Sequence, residues 1–299
     1  MTHGWIILEK PHGMGSTQGV GAVKRALREG GYAKVKVGHG GTLDPLATGV
    51  LPIALGEATK LAGRMLDASK TYDFTIGFGV ETDTLDLEGR EIAASDVRPT
   101  RAQIEAILAR FTGNITQVPP AYSALKVDGK RAYDLAREGQ SVELAGRNVT
   151  IHALALHAIE GSAEAVETAT LTAHVSKGTY IRSLARDIAK ALGSVGHVTM
   201  LRRTQAGPFS LESAISLDFL FESAKRRRLE DIILPLRTAL VDIPALALTP
   251  EQAEALHVGR VLTGIAAPDG LTLAMLDQTP VALVDVLDGT VKVERGFNL

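Results

Sequence analysis

The stretch GHGGTLDPLATGV at residues 38–50 decides how the rest of the chain is read. It sets glycines and threonines, which unsettle regular structure, around one histidine, His39, and one acid, Asp44, followed by Pro45. No second carboxylate, cysteine or lysine accompanies that acid. Proline biases the residue before it toward an extended backbone, and glycines on either side permit close approach of the backbone to a ligand. Two readings of Asp44 follow. It is a turn former or helix cap, the commoner use of aspartate in such a loop. Alternatively, it is a nucleophile or base directed at an electrophilic carbon, as carboxylates are in glycosidic chemistry. Glycosidases use a second carboxylate to protonate the leaving oxygen. A lone aspartate suits a leaving group that departs without a protein acid, and a nucleobase, whose ring delocalises charge, is such a group.

Around this loop the apolar pattern predicts alternating strands and helices. Residues 5–9 (WIILE) read as a buried strand ended by Pro11 and Gly13, and residues 20–28 as a helix stopped by Gly30 and Gly31. Residues 54–66 carry Ala58, Leu61, Met65 and Leu66 at approximately helical spacing. Residues 70–79 (KTYDFTIGFG) alternate as a strand, with Tyr72, Phe74 and Ile76 on one side. Thr100 and Gln103 form a capping box before Ile104, Ile107 and Leu108. A strand at 168–176 breaks at Lys177-Gly178, and a helix follows over 180–193 with Gly193 at its C-terminal cap. Its buried stripe is Ile181, Ala185, Ile188 and Leu192; Arg182, Arg186 and Lys190, four apart, line an adjoining face. Strands and helices mix without a regular βαβ rhythm, which predicts an α+β fold. Beyond Pro244 a short helix is followed by strand-like segments at 271–276, 281–287 and 291–297, with turns expected at Asp269-Gly270 and Asp288-Gly289. The run KRRR at 225–228 reads as a solvated helix end.

At 299 residues the chain predicts one large domain and a small one. With 45% hydrophobic and 22% charged residues it falls in the soluble globular range. The absence of cysteine excludes disulfides, thiolate metal sites and cysteine catalysis. With no signal-peptide pattern and no apolar window approaching the ~20 residues of a membrane span, a cytoplasmic location is expected. The eight histidines show no zinc-binding spacing, so no metal is expected. GMGSTQG near residue 13 lacks the lysine and full glycine spacing of a phosphate loop and reads as a turn, and no G-x-S-x-G elbow is present. The net charge of −2 hides an uneven distribution. Residues 1–70 hold nine Lys/Arg against five Asp/Glu; residues 171–210 hold six against Asp187 alone. A phosphate backbone needs only a local basic face, although solvated helices carry such charges too.

The motif at 38–50, continued through PIALGEATKL, resembles the catalytic motif of the TruB family, the bacterial tRNA pseudouridine-55 synthases. Four more segments resemble family motifs, in the family's order: KPHGMGS, VPPAYSALKVDGKRAYDLAREG, SKGTYIRSLARDIAKALG and HVTMLRRTQAGPF. The last ~55 residues look like the family's small PUA-type RNA-binding module. The resemblance implies a pseudouridine-synthase catalytic domain over 1–243 with a mixed, mainly antiparallel sheet and an insertion at about 118–160, then a PUA-like domain over 244–299. It implies conversion of uridine to pseudouridine in the T loop of tRNA by base flipping and by an aspartate-dependent break and re-formation of the glycosidic bond. No cofactor is implied, since isomerisation needs no redox partner, metal or energy source. A monomer acting without guide RNA or obligatory protein partner is expected. A tRNA-folding chaperone with catalysis secondary is the alternative.

Position by position, the resemblance implies that Asp44 attacks the uridine. Tyr72 stacks on the target base and is placed for late proton transfer from carbon 5, and Arg182 pairs with Asp44 and orients it. Tyr180 and Leu201 match pocket residues. His39 matches the histidine that fills the space left by the flipped nucleotide. Flipping costs a few kcal/mol, which stacking and phosphate contacts offset; Lys60, Arg186, Lys190, Arg202 and Arg203 are the expected phosphate contacts. The chain departs from the family at Gly15, where a hydroxyl residue usually precedes the serine.

Overall fold

The structure is a computed structural model that describes residues 2–123, 125–127, 130–137 and 144–299. The expected insertion at about 118–160 and the V-P-P-A-Y-S-A-L-K block fall partly outside these residues. In chain order the elements are β1 (Gly4–Lys10), α1 (Ser16–Glu29), β2 (Val37–His39), β3 (Thr48–Leu55), α2 (Ala62–Asp67), β4 (Lys70–Phe78), β5 (Val80–Thr82) and β6 (Glu91–Ala94). There follow α3 (Arg101–Ile107), β7 (Gly113–Gln117), β8 (Lys126–Val127), β9 (Lys130–Arg131), α4 (Ala132–Arg137), β10 (Arg147–Ser162) and β11 (Ala165–Val175). The last third holds α5 (Ile181–Ala191), β12 (Gly196–Ala206), β13 (Phe209–Ser210), α6 (Leu217–Lys225), β14 (Ala245–Ala247), α7 (Pro250–His257), β15 (Gly270–Leu276), β16 (Thr279–Leu287) and β17 (Thr290–Gly296).

One mixed sheet dominates, ordered β1-β3-β12-β4-β11-β10-β7, with β2 paired to β3 and β13 to β12. Among these pairs only β3 and β12 run parallel, Thr48 opposite Arg202 and Gly49 opposite Arg203. The fold is thus α+β, as the patterning predicts, with the mainly antiparallel sheet that the resemblance implies. Helix α5 packs on β12 and β4 through Ile181, Leu184, Ala185 and Ile188. Strand β1 is buried on both faces: Ile6 and Leu8 join the main core, while Trp5 and Ile7 join a second cluster. That double burial is why WIILE shows a continuous apolar run instead of alternation.

Three details differ from the expectations. Residues 54–66 are not one helix; a 3-10 turn over Gly56–Leu61 precedes the short α2. GMGSTQG is only partly a turn, because Ser16 already opens α1, with the Gln18 side chain accepting from the Gly15 N–H at 2.7 Å. Asp269-Gly270 is not a hairpin turn either: Gly270 opens β15, and the Asp269 carboxylate accepts from Asp288 N at 2.9 Å. The β15–β16 reversal falls at Asp277, with φ +51°. Asp288-Gly289 does join β16 to β17, with φ of +48° and +69°, the left-handed pair of a two-residue hairpin.

The C-terminal sheet is ordered β14-β15-β16-β17 and carries α7, capped by Thr249. Its Leu273, Met275, Leu283 and Phe297 share a core cluster with Trp5, Ile7, Val50 and Phe209. Lys60 Nζ donates to the carbonyl of Gly296 at 2.8 Å, and Asn298 N donates to Glu57 at 2.8 Å. The β-rich module is therefore docked on the back of β1 and β3. Among the described residues, no helix is long and apolar enough to cross a membrane.

Candidate active site

The Asp44 loop connects β2 to β3, and its own turn chemistry is ordinary. Ala47 N donates to Asp44 O at 3.1 Å, closing a β-turn with Pro45 in its second position. What fixes the loop comes from elsewhere. The Ser16 hydroxyl accepts from Leu43 N at 2.8 Å and donates to Leu43 O at 2.9 Å. The Lys10 ammonium donates to Met14 O at 2.6 Å and Pro45 O at 3.2 Å, and Gly13 N donates to Pro45 O at 2.9 Å. From the other side, Arg203 donates to Val50 O at 2.7 Å, Gly41 O at 3.1 Å and Thr42 O at 3.4 Å. Gly49 has φ +97°, and a Cβ there would lie 2.2 Å from the Arg203 carbonyl oxygen, so only glycine permits the parallel β3–β12 contact. The KPHGMGS segment is thus a clamp on the loop that carries Asp44.

Buried ammonium groups leave a mark on this scaffold. Burial pulls Lys10 down to about 8, against an opposing pull from Asp44. Lys70, whose ammonium donates to the carbonyls of Met65, Leu66 and Ala68 at 2.9, 2.7 and 2.6 Å, is likewise lowered to about 8, chiefly by burial.

Arg182 stands in the first turn of α5. Its Nη2 lies 2.9 Å from Oδ2 of Asp44, and its Nη1 lies 3.4 Å from Oδ2 of Asp86. Two carbonyls, Thr84 O at 2.8 Å and Tyr122 O at 3.0 Å, complete its partners. The Arg182 side chain is 6% exposed and that of Asp86 3%, whereas Asp44 is 37% exposed. The guanidinium is therefore locked from behind and presents one accessible carboxylate. Among the described residues, no backbone N–H bonds the Asp44 carboxylate, so it is not spent as a helix cap. Asp86 escaped the sequence reading: nothing in TDTLDLEG marks one acid as buried. Its carboxylate accepts locally from the Thr84 hydroxyl and the Glu88 N–H, but its pairing with Arg182 joins remote segments.

Above Asp44 opens a cavity of about 320 Å³, lined by Tyr72, Tyr180, Arg182 and Leu201 among others. That volume lies at the low end for small-ligand pockets and accommodates a nucleobase with part of its sugar. Strand register accounts for the lining: on β4, Tyr72 sits opposite Arg203 and Phe74 opposite Leu201. Tyr180 is the N-cap of α5, its own N–H donating to the Gln117 side chain at 2.8 Å, and burial raises its hydroxyl above the ordinary tyrosine range. A larger cavity of about 880 Å³ also reaches Asp44 and Arg182, and His39, Thr17, Asp83 and Tyr122 line it. His39 Nδ1 accepts from Gly41 N at 3.4 Å. Burial first, and the charge of Arg203 second, hold this imidazole below its ordinary pKa. The five residues assigned to the base pocket, Asp44, Tyr72, Tyr180, Arg182 and Leu201, thus converge on one cavity, and His39 lines its neighbour.

The five expected phosphate contacts do not share one environment. Arg203 is a correction: it is 1% exposed and its guanidinium is committed to the motif loop, so it supports the site and cannot meet a phosphate. Strand alternation carried the signal, since Arg203 shares its face with buried Leu201. Lys60 is bound to Glu57 at 2.6 Å and to the C-terminal module. Arg186 pairs with Asp187 at 2.8 Å and with Val118 O at 3.1 Å. Lys190 and Arg202 are about half exposed, paired with Glu81 at 3.0 Å and Glu9 at 2.6 Å. Among the described residues, no cluster of acids and histidines could hold a metal ion.

A mixed sheet with one parallel junction, and beside it an arginine-paired aspartate under a tyrosine-lined cavity, define the pseudouridine-synthase class of fold. The chain superposes on a chain of a Cbf5-Nop10-Gar1 complex with a TM-score of 0.73 and 27% identity, covering 99% of this chain and 85% of that one. A chain of the archaeal box H/ACA sRNP Nop10-Cbf5 complex matches with a TM-score of 0.72 and 25% identity, over 99% and 86%. The chain belongs to the TruB family: the model of the TruB family pseudouridylate synthase N-terminal domain matches residues 27–181. The model of the tRNA pseudouridylate synthase B C-terminal domain matches residues 182–241. It is 68% identical to tRNA pseudouridine synthase B of Novosphingobium aromaticivorans, over 100% of this chain and 98% of that protein. To the protein of the same name from Zymomonas mobilis it is 57% identical, over 99% and 96%. The chain is accordingly an enzyme, a pseudouridine synthase.

Proposed function

We propose that the chain acts on tRNA and converts the uridine at position 55 of the T loop to pseudouridine. The observation that carries this reading is the ion pair of Asp44 with buried Arg182 on the wall of a cavity shared with Tyr72. The uridine enters that cavity flipped out of its stack, at a cost of a few kcal/mol. Tyr72 stacks on the base, Leu201 and Tyr180 bound it, and His39 takes the vacated space. Asp44 attacks the nucleotide and the bond from nitrogen 1 to the sugar breaks, its electron pair staying on the uracil ring. The base turns, carbon 5 bonds to the sugar, and the bond to Asp44 breaks to free the carboxylate. Carbon 5 then loses its proton, with Tyr72 placed beside it, and nitrogen 1 takes one up, so that no proton is gained or lost overall. The lone aspartate suffices because the uracil ring itself carries the charge of the leaving group.

Residues 244–299 serve in this reading as a PUA-like RNA-binding module appended to a catalytic domain over 1–243, and the enzyme acts as a monomer without guide RNA. The test is Asp44→Asn: pseudouridine formation on a T-loop transcript falls below detection, while tRNA binding stays within about twofold. Normal turnover by the variant sinks the assignment of Asp44. Release of free uracil would instead mark a nucleoside hydrolase. A wild-type chain that binds and refolds tRNA but leaves no pseudouridine would mark a chaperone.

A further inference from the structure

Helix α1 begins at the rim of the larger cavity, where Gly15, Ser16, Thr17 and Gln18 line it, and runs away from it. Its exposed residues Thr17, Gly21, Lys24 and Arg28 follow the spacing i, i+4, i+7, i+11, so one straight stripe leads outward from the rim. From Thr17 to Arg28 it spans about 16 Å at ~1.5 Å per residue. Helix α6 packs against α1. The Arg25 guanidinium lies 4.2 Å over the Phe221 ring, and the Arg227 guanidinium comes 3.8 Å from where a Cβ on Gly31 would stand. The end of α6 therefore prolongs the stripe with Lys225 and Arg227.

Two independent features give this surface a direction of use. First, several of its acids are already matched: Glu29 by Arg25 at 3.8 Å, Glu222 by Arg226 at 2.9 Å and Asp231 by Arg228 at 2.6 Å. Lys24, Arg28, Lys225 and Arg227 are exposed and, among the described residues, are not ion-paired. Second, Gly21 sits in the helix interior, where glycine weakens a helix, yet a Cβ there would meet nothing within 4 Å. Among the described residues, no packing calls for that glycine. It leaves a shallow place on the stripe where another backbone can lie close.

We propose that this stripe is a track for the sugar-phosphate backbone of the substrate RNA, outside the cavity, adding affinity without touching the chemistry. It rests on the reading of tRNA as substrate. An unpaired line of cations beginning at the cavity rim, with a gap in side chains between rim and first cation, suits a polyanion whose target nucleotide is buried at Asp44.

The experiment compares K24E/R28E, K225E/R227E and the uncharged Gly21→Gln with the unsubstituted enzyme on full-length tRNA. Binding is measured by filter retention from low to moderate salt, and turnover at saturating RNA. Each charge-reversed pair should weaken binding about tenfold and flatten its salt dependence, with saturated turnover unchanged. Gly21→Gln should weaken binding severalfold while raising the melting temperature, which separates a real contact from a general loss of charge. Unchanged binding in the charge-reversed pairs, unchanged binding in Gly21→Gln, or reduced turnover at saturation overturns the proposal. Mapping the modified nucleotide with the unsubstituted enzyme tests the position-55 reading separately, and the binding comparison stands whatever that map shows.

Discussion

The Arg182 guanidinium and the Asp44 carboxylate lie 2.9 Å apart, one almost fully buried and the other more than a third exposed. That asymmetry divides the work. Arg182 spends its remaining donors on Asp86, Thr84 O and Tyr122 O, which fix its plane and therefore the carboxylate it presents. Lysine cannot reproduce a planar fork with four partners. Arg182→Lys should lower turnover at least a hundredfold with the fold retained. Arg182→Met should also destabilise, by about 3–5 kcal/mol, because it leaves Asp86 buried beside no cation. Single-turnover kinetics and thermal melts of both variants check this; near-normal turnover in Arg182→Lys contradicts the orienting role.

Ser16 is buried and lies outside the lining of the cavity that holds Tyr72, yet it holds the Asp44 loop in place. Its hydroxyl satisfies both polar groups of Leu43, the residue before Asp44. Ser16→Ala leaves that buried N–H and C=O unpaired, at about 1–3 kcal/mol each. It also frees the loop to shift, and misplacements near 1 Å cost about a hundredfold in rate. The expected result is a fall in kcat with KM nearly unchanged, partly restored by Ser16→Thr. A change confined to KM would place Ser16 in binding instead.

His39 gives a pH dependence with a defined sign. Burial and the Arg203 charge hold its pKa below 6.5 in the folded chain. The folded state therefore binds fewer protons there than the unfolded state does in acid. The stability it contributes is present above pH ~6.5 and is lost as the pH falls through the lowered pKa. Melting temperatures between pH 7.5 and 5.5 should drop more steeply for the unsubstituted chain than for His39→Gln, and an NMR titration should place the ring below its ordinary value. Parallel slopes would show that His39 is not shielded as the structure has it.

The order of legibility follows sequence distance. The strands at 70–79 and 168–176, the capping box at Thr100 and the Asp288-Gly289 turn are local events, and local chemistry decides them. Asp44, Tyr72, Tyr180, Arg182 and Leu201 were legible through motif resemblance, and register brings them to one cavity. What stayed hidden are contacts between remote segments: Ser16 with Leu43, Lys10 with Pro45, Asp86 with Arg182. Residues 54–66 misled because a helical apolar spacing does not distinguish a 3-10 turn from the α-helix that follows it.

Arg202 and Arg203 are neighbours in sequence with opposite surroundings. On β12 alternate residues face opposite sides, so Arg203 points with Leu201 into the core while Arg202 meets Glu9 at the surface. Replacing the exposed partner of a surface pair changes stability little, about 0.5 kcal/mol or less. Removing Arg203 strips hydrogen bonds from Val50, Gly41 and Thr42 at once, and so loosens both ends of the Asp44 loop. Arg203→Met should therefore lower the melting temperature by several degrees and depress turnover, without altering the salt dependence of tRNA binding. Arg202→Gln should do the reverse, leaving the melt unchanged and reducing the salt slope by about one unit if its guanidinium leaves Glu9 for a phosphate. Equal salt slopes for Arg203→Met and the unsubstituted enzyme, with a lower melt, are what a buried scaffold requires; a reduced slope would mean that the side chain reaches RNA after all.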